Sequence, residues 1–180
     1  MAHAMIPVAC VAVLVSMLPT VQRLAAGKPG GSGAAKPSVT RSVSGSAVHF
    51  FTTAMIHSQE PTAVGMIQRS TDIVELSGDL KGRVLYHPTS VFDFVNGTLV
   101  NTGHQVFSGT VLGSAPVLLH DDQFRFDVNL NGGVEAGEVH LKNHLAGPKI
   151  ACDLIVSGAG TKTPEGNALV DYTGTCTFKS

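Results

Sequence analysis

From residue 47 to the C-terminus, apolar and polar residues alternate with a period of two, and no stretch carries the three-to-four-residue spacing of an amphipathic helix. Successive side chains on a strand point to opposite faces, so this period predicts an all-β chain whose strands each bury one face. The strand segments read AVHFFTTAMI (47–56), AVGMIQRSTDIVEL (63–76), LKGRVLYH (80–87), SVFDF (90–94), TLVN (98–101) and HQVFSGTVLG (104–113). They continue with PVLL (116–119), QFRFDVNL (123–130), EAGEVHLKNHL (135–145), KIACDLIVS (149–157) and NALVDYTGTCTF (167–178). Turn signals separate most of them: SGD (77–79), HPTS (87–90), VNG (95–97), NGG (131–133), AGP (146–148) and TPEGN (163–167). Links this short pair neighbouring strands as hairpins, and closing such a meander on itself removes exposed edges. The expected fold is therefore an eight-stranded antiparallel up-and-down β-barrel, with a β-sandwich as the second reading. A barrel of that size either fills with side chains or holds one small ligand, and the alternation does not choose between them.

Two stretches of different character precede the alternating region. MIPVACVAVLVSMLPTV (5–21) is apolar but broken by Pro7 and Pro19, and AAGKPGGSGAAKPS (26–39) is rich in small residues; no Asp or Glu occurs before Glu60. Residues 1–26 read as a signal peptide ending near Ala25 or Ala26, or alternatively as an uncleaved membrane anchor. Residues 27–46 read as a flexible Gly/Ala/Ser/Pro linker, and residues 47–180 as the barrel domain. The expected location is secreted or periplasmic, or else anchored on the outer side of a membrane by the N-terminal segment alone. From residue 47 onward, 8 Lys and Arg face 13 acids, a formal charge of −5. Such an acidic body argues against a nucleic-acid partner, because binding to phosphates relies on cationic side chains.

Cys152 shares a strand face with Ile150, Leu154 and Val156, and Cys176 shares one with Val170, Tyr172 and Phe178. A hairpin centred on Pro164 sets the two cysteines directly opposite one another, close to what a disulfide requires. In an exported protein that bond is expected, stabilising the fold by roughly 3 kcal/mol.

Clusters with chemical potential are few. His120, Asp121 and Asp122 are consecutive, so on a strand they cannot converge on one ion; they read as a turn whose carboxylates accept from free backbone N–H groups. His140 and His144 alternate with Val139, Leu141 and Leu145, which is strand spacing, and roughly 13 Å of strand separates them, too far to share an ion. They read as outer-face residues, and no metal site is expected. Asp93, between Phe92 and Phe94, becomes a candidate proton donor only if its side faces the interior. No nucleophile elbow, phosphate loop or dinucleotide fingerprint is present, and no cofactor is expected.

The apolar face, with Tyr86, Phe92, Phe94, Phe124, Phe126, Tyr172 and Phe178, describes either a packed core or the wall of a ligand cavity. In the second case Tyr86, Tyr172 and Asn143 orient the ligand. Three functions follow as expectations: a barrel binding a small apolar molecule; a cofactor-free isomerase or cyclase using Tyr86, Asp93 or Tyr172 as proton donors; and a filled barrel acting through its outer surface.

SGDLKGRVLY (77–86) resembles the Gly-Asp-Leu segment of plant allene oxide cyclases, and a chain of short strands ending in YTGTCTF (172–178) is similar to the allene oxide cyclase-like and dirigent-like barrels. The resemblance implies an eight-stranded barrel, in dimers or trimers, that guides an apolar substrate by shape without a cofactor. The direct match spans about ten residues and carries over no catalytic position.

Overall fold

The computed structural model describes residues 37–158 and 160–180. The segment read as a signal peptide or anchor, residues 1–26, lies outside them, as do residues 27–36 of the expected linker. The described chain is almost entirely strand: β1 (Ser38–His49), β2 (Met55–Pro61), β3 (Gly65–Gly78), β4 (Leu80–Asp93), β5 (Thr98–Val111), β6 (Val117–Asp121), β7 (Arg125–Asn129), β8 (Gly133–Leu141), β9 (Asn143–Ala146), β10 (Ile150–Ser157) and β11 (Ala168–Lys179). One 3₁₀ turn, Phe51–Thr53, sits between β1 and β2.

All pairings are antiparallel, and they close a ring of eight: β1 with β3, β3 with β4, β4 with β5, β5 with β7, β7 with β8, β8 with β10, β10 with β11, and β11 back to β1. The remaining strands extend this ring. β6 pairs with Gln105–Gly109 of β5 while β7 pairs with Thr98–Thr102, so the two are halves of one stave. β9 prolongs β8 along β6, and β2 prolongs β1 along β3. The barrel is thus the expected meander, closed by its first and last strands.

Several boundaries differ from the expectation, each for a local reason. The barrel starts at Ser38, inside the stretch read as linker: Val43 and Ala47 are buried while Ser42 and Ser46 face outward, so a Ser-rich sequence here is a solvated strand face. HPTS (87–90) is no turn. β4 runs through it, and the register against β3 is the same on both sides, Arg69 opposite Thr89 and Asp72 opposite Tyr86. Pro88 lacks an N–H and leaves a gap in the ladder without shifting it. β5 is likewise continuous where two strands were expected. Conversely, 47–56 is broken by the 3₁₀ turn, and 135–145 is broken at Lys142, whose N–H bonds the His140 carbonyl at 2.7 Å.

The interior has two unlike halves. Toward the end formed by the start of β1, the β3–β4 turn and the end of β5, it is filled: Leu80, Phe107, Val111, Leu119, Ile150, Cys152 and Cys176 are all essentially inaccessible. Each such side chain stabilises the fold by about 1.5–3 kcal/mol through burial. Cys152 stands opposite Cys176 with their Cα atoms 4.1 Å apart, and the two are joined by a disulfide within this packed half. Tyr172 forms the boundary layer. Its hydroxyl accepts from the Leu80 N–H at 2.8 Å and donates to the Ser77 carbonyl at 2.9 Å, tying β11 to the β3–β4 turn. Gly45 of β1 lies against that hydroxyl, where any Cβ would collide with the Ser77 carbonyl and the Tyr172 ring. The other half of the barrel is open.

Candidate ligand site: a two-faced cavity

The open half holds a cavity of about 630 Å³. That volume lies within the usual range for small-molecule sites. Its rim is set by Phe51, Phe92, Leu99, Leu130 and Lys162, from the strand ends opposite the packed half. Lys162 lies over the Phe51 ring, 5.8 Å from its centre, and Asn167 accepts from the Thr52 hydroxyl at 2.6 Å, so the loop between β10 and β11 is fastened to the turn that follows β1.

Its walls differ in chemistry. On β8, β10, β11 and β1 the lining is apolar: Val139, Leu141, Leu154, Val156, Val170 and Ala47. On β3, β4 and β5 apolar residues such as Val74, Val84 and Leu99 surround a polar patch: Ser70, Asp72, Tyr86, Ser90, Asn101 and Gln105, every one of them buried. Pairing makes this a continuous patch, since Asp72 stands opposite Tyr86, Tyr86 opposite Gln105, and Ser90 opposite Asn101. His49, entering from β1, bonds Asp72 Oδ2 through Nε2 at 2.8 Å, and its ring meets Tyr86 edge-on, 5.3 Å between centres.

Three buried polar atoms of this wall, Ser70 Oγ, Asp72 Oδ1 and Asn101 Oδ1, have no hydrogen-bond partner among the described residues. A buried polar atom left unpaired costs about 1–3 kcal/mol, so three on one wall are expensive unless something occupies the cavity beside them. Burial and the nearby Asp72 carboxylate hold the Tyr86 phenol well above its usual range, against a smaller opposing effect of the Asn101 amide. Tyr86 therefore stays protonated at neutral pH and presents an O–H donor.

Of the residues expected to line a cavity, Tyr86, Phe92, Phe126 and Tyr172 do so. Phe126 packs over Gly137 of β8, whose missing side chain makes room for the ring. The other four lie elsewhere. Phe94 is exposed because β4 ends at Asp93 and Phe94 belongs to the turn. Phe124, in the break between β6 and β7, is buried behind Tyr86, 4.7 Å between ring centres. Phe178 belongs to the packed end, with Arg41 over its ring. Asn143 is exposed, because the break at Lys142 ends the alternation that carried Leu141 inward.

The proton-donor candidates separate in the same way. Asp93 is half-buried at the end of β4 and caps its own turn, accepting from the backbone N–H of Val95 and Asn96 and from the Asn96 amide; these bonds hold its carboxyl below the usual range, the wrong direction for a donor. The Tyr172 hydroxyl is engaged by backbone, and burial raises its pKa. Tyr86 alone of the three faces the cavity with its hydroxyl uncommitted to backbone.

His120 and Asp121 end β6, so of the three residues expected in a turn only Asp122 lies beyond the strand. The fully buried Asp121 accepts from the N–H of Gln123 at 2.8 Å and of His140 at 2.7 Å, and from the Gln105 amide at 3.0 Å, stitching the broken stave together. His140 is on the outer face but not merely solvated: it bonds Asp153 at 2.7 Å, and Lys142 reaches the same carboxylate.

Sequence reasoning missed His49, Ser70, Asp72 and Asn101. The signal was present: Ser70 and Asp72 share a face with Val74 and Leu76, Asn101 with Leu99, and His49 with Ala47. Polar residues in phase with a buried apolar series mark either an error in the period or a functional wall. Comparison of the chain with protein-family models, with curated proteins and with solved structures finds no match.

Proposed function

We propose that this barrel binds a small, mainly apolar molecule in its open half, through an apolar face on one side and hydrogen bonds on the other. The observation that carries the reading is the unpaired trio Ser70 Oγ, Asp72 Oδ1 and Asn101 Oδ1, set in the wall of a 630 Å³ cavity. A core evolved only for stability pairs such atoms or replaces them with apolar ones. The ligand class is therefore a hydrophobic body with at least one hydroxyl or similar donor, since the unpaired atoms include two oxygens that only accept. The internal disulfide fits an oxidising compartment, in keeping with an exported protein. The short resemblance to allene oxide cyclases points the same way, toward an apolar guest held without a cofactor.

Titration with the neutral fluorescent probe N-phenyl-1-naphthylamine tests this. One saturable site per chain, with micromolar or tighter affinity and competition by apolar alcohols, is the expected result. Non-saturable fluorescence, or none, in a folded sample would defeat the reading.

A further inference from the structure

The polar wall does more than mark a binding site; it joins a base, an acid and ligand-holding groups within one cavity. We propose that His49, Asp72 and Tyr86 form a proton-transfer centre, and that the barrel epimerises apolar α-hydroxy ketones without a cofactor. This rests on the ligand-binding reading above and names the chemistry of the ligand.

The assignment follows from the partners each group has and lacks. With Nε2–H donated to Asp72, the neutral imidazole of His49 keeps its lone pair on Nδ1, which has no partner among the described residues. A carboxylate behind an imidazole holds the tautomer and stabilises the cation that forms when the ring takes a proton. Tyr86 supplies a phenol O–H, kept protonated by burial, beside that ring. Ser70 Oγ, Asp72 Oδ1 and Asn101 Oδ1 ask for a hydroxyl donor, while the Tyr86 phenol can donate to a carbonyl oxygen placed beside them. A hydroxyl next to a carbonyl satisfies both, and the carbon between them carries an acidic C–H. The apolar wall of Val139, Leu154, Val156 and Val170 takes the remaining hydrocarbon.

The step balances within the site. His49 Nδ1 takes the proton from the carbinol carbon; the C–H electron pair becomes the C=C bond of an enediolate, and the carbonyl π pair moves to oxygen, where Tyr86 donates a hydrogen bond. Once the planar enediolate turns over in the cavity, return of the proton from His49 to the same carbon arrives on the opposite face and gives the epimer, with nothing gained or lost. A preorganised donor at the developing oxyanion and an oriented base are each worth about 10²-fold or more in rate.

The probe is (R)-benzoin, which has two phenyl groups, a ketone and an adjacent hydroxyl. Incubated with the full chain in D₂O, it is expected to lose optical rotation and gain deuterium at the carbinol carbon, both well above the buffer rate. His49→Ala should lower the exchange at least about 100-fold, with partial recovery on adding imidazole, a rescue that a purely structural histidine would not show. Tyr86→Phe should lower it by about 100-fold. Circular dichroism and thermal unfolding establish that the variants fold. Wild-type exchange equal to buffer, in protein that binds N-phenyl-1-naphthylamine, overturns the proton-transfer centre and leaves the ligand site standing. Exchange that survives in His49→Ala overturns the assignment of the base. Absence of both exchange and probe binding removes the ligand reading, and this proposal with it.

Discussion

Tyr172 shows how one side chain divides the interior into a packed half and an open half. Its ring lines the base of the cavity while its hydroxyl accepts from the Leu80 N–H and donates to the Ser77 carbonyl, on either side of the turn between β3 and β4. Glycine at position 45 is the condition for this contact, since a Cβ there would occupy the place of the phenol oxygen. Tyr172→Phe keeps the ring, removes both hydrogen bonds and leaves the buried Leu80 N–H unpaired, so urea unfolding should show a loss of about 1–3 kcal/mol, with the slope unchanged. A loss under about 0.5 kcal/mol would mean that water reaches the turn and that the hydroxyl is not its anchor. Tyr172 was legible from sequence as an inward residue of the last strand. Its role was not, because the backbone it serves lies more than ninety positions earlier, and no local pattern reports such a partner.

Neighbouring strands carry a row of histidines along the outer wall. His57 bonds the Thr71 hydroxyl at 2.7 Å, Thr71 bonds His87 at 2.9 Å, His87 stacks on the directly paired His104 with 4.7 Å between ring centres, and His120 follows 6.1 Å from His104. Partial burial, then the charges of His104 and His57, lower the pKa of His87 from its ordinary 6.5, with Asp72 opposing more weakly. A histidine whose folded pKa is depressed binds fewer protons folded than unfolded in the window just below 6.5, so stability rises with pH through that window. The contribution is complete above it and lost as pH falls through the folded value. Unfolding temperatures measured from pH 8 to pH 5 should therefore decline more steeply for wild type than for His87→Gln; parallel curves would show that the row is solvated rather than coupled. At this scale the sequence was readable where the period was unbroken, as in β3 and β10, and in the opposition of Cys152 to Cys176. It misled where a break or a continuation depended on tertiary pairing. Pro88 reads as a turn but sits in a strand held in register on both sides, and Lys142 reads as mid-strand but ends the alternation that would have carried Asn143 inward.

For the whole molecule, the choice between a filled and an open barrel is resolved by position along the axis: the half that contains the disulfide is packed, and the half beyond Tyr172 holds the cavity. This separation lets the fold tolerate unpaired polar atoms, since the packed half supplies stability while the open half carries the polar wall that the proposed guest would meet. It also predicts which substitutions reach the guest. Phe126 lines the cavity on the stave opposite Gly137, so Phe126→Trp places a larger ring where the apolar body of a ligand would lie. Val91, on the outside of β4 and 45 % exposed, gives a matched control for adding an indole to the barrel. Affinity for N-phenyl-1-naphthylamine should fall about tenfold or more in Phe126→Trp, a loss of about 1.4 kcal/mol, and stay at the wild-type value in Val91→Trp. Equal affinities in both folded variants would place the probe away from this wall. A loss in Val91→Trp alone would put the binding surface on the outside of the barrel, where Ile73 and Leu85 stand exposed on neighbouring strands.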